Sequence, residues 1–260
     1  MASEPREFAS AERSWEQLSC SETHCVALRE GVAYTWPISR AGNRFGQLCR
    51  GTAARDVDVE ATDASAAPVP FDGRVVAVAA GGRKDGGHTA LVGEDGSVWM
   101  CGCDRWQQLG LSGAGGAGNA AGYTWRDGRI WQPTAQRVTA LAGARVRAVA
   151  LGADHSLALG ENERDVYSWG RGEAGQLGDG KPFVRAPTFA RELCAAAPSQ
   201  RAHAIAALGD CSAVALRPAE VSSADSGPPA SASPIFAFAG RCALVRSQLA
   251  AALGAAATVR

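Results

Sequence analysis

Gly175 to Lys181, within GRGEAGQLGDGKP, reproduces the G-x-x-x-x-G-K spacing of a phosphate-binding loop, in which backbone N–H groups cradle phosphate oxygens and the lysine neutralises them. Pro182 stands where such a loop needs a Ser or Thr hydroxyl for Mg²⁺. The following PFVRAPTF reads as an extended segment, not as the helix whose N-terminus would face the phosphates. A second pattern, Gly113 to Gly118, satisfies G-x-G-x-x-G. It lies in an Ala/Gly-rich stretch with no preceding strand and no acidic residue about 20 positions on. Neither pattern predicts a nucleotide site.

The other reactive side chains give no catalytic set. No G-x-S-x-G elbow, H-E-x-x-H helix or Cys-His pair in a suitable context occurs, and Glu94 and Asp95 fall in an expected turn. The eight cysteines, Cys20, Cys25, Cys49, Cys101, Cys103, Cys194, Cys211 and Cys242, contain no C-x-x-C pair. With no export signal in MASEPREFASAERSWEQL, they are expected to be reduced and mostly buried, without a metal or cofactor. His24, His88 and His155 share one repeat position, which suits a structural hydrogen bond needed in each repeat, whereas a catalytic group is needed once. A non-enzyme is expected.

Those residues are positioned by repetition. Val146-Arg-Ala-Val-Ala-Leu-Gly152 leads to His155-Ser-Leu-Ala-Leu159, then Val166-Tyr-Ser-Trp169-Gly170 and Gly175-Gln-Leu-Gly178. An earlier copy runs from Val75 through His88-Thr-Ala-Leu91 and Val98-Trp-Met-Cys101-Gly102 to Gln108-Leu109-Gly110, with GRKDGG inserted before the histidine. A first copy holds His24, Trp36 and Gln47-Leu48. A fourth holds Cys211 in place of the histidine and Phe238 in place of the tryptophan. The period is roughly 65 to 70 residues. Within each copy, apolar segments of four to six residues bounded by Gly, Asp or Asn favour short antiparallel strands. The Asp-Gly pairs at Asp95-Gly96 and Asp127-Gly128 predict hairpin turns.

The V-x-x-V-x-x-G-x-x-H-S-x-A-L run, the VYxWG strand and GxxxxGQLG together resemble the repeats of the regulator of chromosome condensation family. The approach Pro133, Val138, Leu141 to Val146 fits as well. The resemblance covers roughly residues 14 to 244. It implies an all-β fold: a β-propeller, or a partial propeller of four recognisable repeats with long inter-blade insertions. The units fall at about 14–51, 73–112, 133–182 and 203–244 within a domain spanning 14–246. Residues 1–13 form an N-terminal tail, 112–132 an insertion, 219–234 a disordered Ser/Pro/Ala loop, and 247–260 a tail or short helix. Trp36, Trp169, Gly102, Gly170, Leu48, Leu109 and Leu177 are structural repeat positions.

Function is then expected on the loops. Trp106, Trp125, Arg126 and Trp131 are the candidates for partner contact, because Trp and Arg dominate binding hot spots. The primary reading is a non-catalytic protein–protein interaction module. The resemblance also implies, as alternatives, guanine-nucleotide exchange on a small GTPase and, more weakly, a chromatin-associated scaffold. The 26 basic and 26 acidic residues cancel, which disfavours direct nucleic-acid binding. No apolar run approaches the ~20 residues of a membrane span, so a cytoplasmic or nuclear address is expected. Exposed blade edges predict a dimer or a constitutive complex.

Overall fold

The computed structural model describes residues 14–53, 65–84, 86–111, 124–126, 129–190, 193, 200–218, 235–240 and 258–259. They form four successive sheets, the blades of a propeller arrangement. The first blade runs β1 (Gln17–Cys20), β2 (His24–Arg29), β3 (Val32–Pro37) and β4 (Ala67–Pro68), paired in that order. The second contains β5 (Val75–Arg83), β6 (Gly86–Gly93), β7 (Val98–Cys103), β8 (Thr124–Arg126) and β9 (Arg129–Arg137), ordered β5-β6-β7-β9-β8. The third is β10 (Val146–Leu151), β11 (His155–Gly160), β12 (Val166–Arg171) and β13 (Phe183–Phe189). The fourth is β14 (Gln200–Leu208), β15 (Cys211–Pro218), β16 (Ile235–Gly240) and β17 (Thr258–Val259), whose last pair is parallel.

The second and third sheets are apolar on both faces because a neighbouring sheet covers each face, and the first and fourth are apolar where they meet them. Between blades one and two, Val26 and Leu28 pack with Val78 and Leu91. Between two and three, Val92 and Leu109 meet Val149 and Trp169; between three and four, Leu157 and Leu159 meet Val214 and Leu216. Each such side chain contributes about 1.5–3 kcal/mol by leaving water. The first strands β1, β5, β10 and β14 line an axial cavity of about 420 Å³. The Glu94-Asp95-Gly96 turn closes β6 onto β7 with Gly96 at φ 76°, as its Asp-Gly pair predicts. β8 and β9 likewise pair up to Arg126 opposite Arg129, flanking residues 127–128.

Three sequence expectations are corrected. The strands flanking the GRKDGG insertion exceed the expected four to six residues: the insertion lengthens the β5–β6 hairpin, with Gly81 opposite His88 and Arg83 opposite Gly86. In the fourth blade the residue at the tryptophan register is Ala239. Ser212 faces Ala239 as Ser156 faces Trp169, and Phe238 pairs with Ala213 one step earlier. A one-residue slip reverses the face of every side chain, so aromatic character alone misplaced the copy.

The third correction concerns the cysteines. Cys20–Cys25 and Cys49–Cys101 are disulfides and Cys211 is disulfide-bonded too, whereas Cys103 is a buried thiol. Cys20 and Cys25 are cross-strand partners with Cα atoms 4.1 Å apart. The blade joint brings Cys49 and Cys101 to 5.7 Å, within bridging range. Residues 113–118, 219–234 and 247–257, with the readings made of them, lie outside the described residues.

Candidate functional site

The repeat positions read from the sequence form a latch between blades. Gln47, Gln108 and Gln176 are buried, and each side-chain Oε1 accepts the N–H two residues earlier, of Phe45, Trp106 and Ala174, at 2.8–2.9 Å. This leaves the glutamine backbone carbonyl facing the next blade, where a hydroxyl donates to it. Thr89 donates to Gln47 at 2.6 Å; Ser156 and Ser212 donate to Gln108 and Gln176 at 2.7 Å. In two of the three joints a histidine of the earlier blade also reaches that hydroxyl: His24 Nε2 lies 2.7 Å from Thr89 Oγ1 and His155 Nε2 2.9 Å from Ser212 Oγ. Because the hydroxyl hydrogen is already engaged with the carbonyl, the imidazole must supply its Nε2–H, which sets the tautomer. His88, fully buried at the same position, makes no such bond.

Burial keeps these imidazoles uncharged. His24 and His88 are pushed down to about 3 and His155 to about 4. A histidine this far below neutrality and bonded to a structural hydroxyl is a fastener between sheets. The glycines serve the same construction. A Cβ on Gly170, at φ 101°, would lie 2.6 Å from the Asp154 carbonyl oxygen, and Gly102 occupies the same place at φ 107°. Gln176 and Leu177 of the would-be phosphate loop hold blade contacts, with Leu177 O accepting the Ser168 hydroxyl at 2.7 Å. Strand β13 follows instead of a helix. Leu48, Leu109 and Leu177 are buried, and Trp169 is fully enclosed; Trp36 is half-buried.

The surface feature with chemistry on offer lies at one rim. Arg83 from the end of β5, Cys103 at the end of β7 with Arg105 and Trp106 after it, Asp154 between β10 and β11, and Arg171 at the end of β12 enclose a cavity of about 290 Å³. Two guanidinium groups lie against the half-buried Trp106 ring, Arg171 at 4.9 Å and Arg105 at 5.4 Å from its centroid. Arg171 is tied to Asp154 at 3.6 Å and to Glu173, and Arg83 to Asp210 at 2.9 Å. Exposed Arg105 makes no ion pair among the described residues. Burial raises the Asp154 carboxyl above its usual range, opposed by the Arg171 charge. The rim therefore offers a partly exposed indole and an exposed arginine, Arg105, beside a cleft.

Of the other sequence candidates, Trp131 is 6% exposed and packs with Phe45 and Cys103, so internal packing claims it. Trp125 and Arg126 lie on β8, and their side chains lie outside the described residues. Sequence reasoning missed Arg105 and Arg171 as Trp106's neighbours. Arg105 adjoins Trp106 in the chain, but Arg171 comes from the next blade and leaves no local signal.

Among the described residues no group of three or more His, Cys, Asp or Glu is placed to hold a metal ion, and no helix is long and apolar enough to cross a membrane.

Residues 95–159 and 146–176 match models of the regulator of chromosome condensation (RCC1) repeat. The chain is 30% identical to the ultraviolet-B receptor UVR8 of Arabidopsis thaliana over 64% of its own length and 31% of that protein. It is 28% identical to the guanine nucleotide exchange factor SRM1 of Saccharomyces cerevisiae over 69% of itself and 34% of SRM1. Against solved structures it superposes on human WBSCR16 with a TM-score of 0.58 at 22% identity, covering 79% of this chain and 46% of that one. Against Prp20p of Saccharomyces cerevisiae the TM-score is 0.57 at 20% identity, over 92% and 48%. The chain thus spans about a third of the curated relatives it matches, and these structural likenesses establish the propeller fold.

Proposed function

On the premise that this chain is a regulator of chromosome condensation (RCC1) repeat protein, we propose that it is a non-catalytic module that binds a partner protein through the Trp106 rim. The observation that carries this is half-buried Trp106 lying against Arg105 and Arg171 in the lining of a cleft. An indole in contact with two guanidinium groups is pre-ordered, so less side-chain entropy remains to be lost when a partner covers it. The buried histidines and the glycine turn are taken up by blade contacts, which supports the rim over those positions as a place for recognition.

The test is quantitative capture of partners by the intact chain and by a Trp106→Ala/Arg105→Ala variant with an unchanged unfolding midpoint. Recovery is expected to fall at least about tenfold, the loss of one hot-spot residue. Equal recovery would remove the rim from the reading. A second reading, exchange activity on a small GTPase, is favoured by the likeness to SRM1, a guanine nucleotide exchange factor, and to Prp20p, which binds Gsp1p and histones. It predicts dose-dependent release of labelled GDP from a small GTPase such as Gsp1p; a flat response leaves the binding module alone.

A further inference from the structure

In the first two blades the turn before the latch glutamine carries an arginine and an aromatic residue: Arg44-Phe45 before Gln47, and Arg105-Trp106 before Gln108. The backbone is held alike in both, since the glutamine Oε1 accepts the N–H of the aromatic residue at 2.9 and 2.8 Å. What meets the ring differs. Phe45 packs with Cys103 and with Trp131, the register partner of Cys103 on β9, and is 6% exposed. One blade further on, Arg171 stands at the register of Cys103, because Gly170 faces His155 as Gly102 faces His88. The apolar cover of the first ring is thus exchanged for a guanidinium 4.9 Å from the second. Trp106 stays half-buried in the wall of the cavity of about 290 Å³.

That wall is cationic. Arg83, Arg105 and Arg171 line it against a single carboxylate, Asp154. Two of the three arginines are held by acids of this chain, Arg83 by Asp210 at 2.9 Å and Arg171 by Glu173 and by Asp154 at 3.6 Å. Asp154 therefore lies under the Arg171 charge and does not stand bare before an incoming anion. Exposed Arg105, over the Trp106 ring at 5.4 Å, makes no ion pair among the described residues. A guanidinium presents parallel N–H donors that match the two oxygens of a carboxylate, and the indole beside it gives the methylenes of the same side chain an apolar seat. The volume sets the size of the guest. It falls at the ~300 Å³ where pockets for whole small molecules begin, which suits one side chain of a larger ligand. A nucleic-acid backbone needs a row of unpaired cations, and of the lining arginines Arg105 alone is without an acid among the described residues.

We propose that the rim cavity takes an acidic side chain, glutamate or aspartate, from an extended segment of the partner protein, its carboxylate paired with Arg105 and its methylenes on Trp106. This rests on the reading of the rim as a partner site and adds the chemistry that the rim selects. A glutamine in the same place offers one acceptor oxygen and no charge, so the site discriminates against it.

The test uses the full chain and two peptides blocked at both ends, GEEG and GQQG, followed by NMR at the Trp106 indole N–H and the Arg105 Nε–H. Trp106→Phe and Arg105→Lys assign the two signals. GEEG is expected to shift both saturably and to bind at least about tenfold more tightly than GQQG, and Arg105→Glu to abolish the response. Should Arg105→Glu lower the unfolding midpoint, Arg105→Gln reads the same loss. No saturable shift, equal binding of the two peptides, or a response that survives loss of the Arg105 charge overturns the proposal. Tighter saturation of the same signals by inorganic phosphate or by oligothymidylate than by GEEG overturns it too. Partner capture then separates this proposal from the reading on which it rests. Capture lost in both Trp106→Ala and Arg105→Glu supports it. Capture lost in Trp106→Ala but kept in Arg105→Glu retains the rim as a partner site and overturns its acidic selectivity, whereas capture kept in both removes the rim itself.

Discussion

The joint between the second and third blades and the joint between the first and second solve one packing problem with different chemistry. In the former, the Trp169 indole N–H donates to the Gln108 carbonyl at 2.7 Å and the ring presses on Gly110, where an added Cβ would come within 2.7 Å of Nε1. In the latter, Cys101 stands at the register of Trp169 and Cys49 follows Leu48 as Gly110 follows Leu109. Both turn residues are left-handed, Gly110 at φ 66° and Cys49 at φ 57°. A large side chain against no side chain has been exchanged for two medium ones joined covalently. Close packing demands that the joint be filled, but it does not dictate which residue fills it, so long as the two positions change together.

The comparison can be broken most severely at the noncovalent joint. Trp169→Ala empties the best-enclosed indole and is expected to lower stability by about 3–5 kcal/mol in denaturant melts. A loss below 1 kcal/mol would show that the ring is not what fills this joint. Next, Cys49→Ser is expected to lose about 2–4 kcal/mol and part of the thermal response to reductant. Cys49→Gly/Cys101→Trp transplants the other solution and restores stability without reductant sensitivity at this joint. If the transplanted pair melts no higher than Cys49→Ser, the two solutions are not interchangeable.

Smaller effects separate the histidines. His24→Ala removes a latch bond and leaves the Thr89 hydroxyl without its donor, expected to lower stability by about 1–3 kcal/mol, whereas His88→Leu removes a buried ring that makes no hydrogen bond and is expected to change it by less than about 1 kcal/mol. The same His88→Leu chain sharpens the acid response. Burial holds the folded imidazole near 3 while the unfolded one takes up a proton below about 6.5, so stability is lost as pH falls from about 6.5 towards 3. Removing His88 should flatten that slope by about 1.4 kcal/mol per pH unit, measured by urea melts at pH 6 and 5.

The third blade was readable almost residue by residue, because strand period, His155, Trp169 and the GQLG turn all report local constraints of one sheet. The fourth was read one residue out at Phe238, since register depends on pairing across strands and a slip leaves composition unchanged. The rejection of the phosphate loop at Gly175 to Lys181 needed only the chain, because a prolonged extended segment after it excludes the helix such a site requires. At the rim, Trp106 was visible as a candidate while the guanidinium that completes its enclosure comes from Arg171, one blade further along.

The amino-acid sequence by itself determined the repeat, its strands and turns, and the all-β class, since hydrophobic period and Asp-Gly turns act over a few residues. Tertiary structure alone decided which cysteines bridge and how Trp106 comes to lie against arginines of two blades. Those outcomes depend on residues from different sheets arriving within a few ångströms of each other, and such proximity is set by how whole blades stack, which no local pattern encodes.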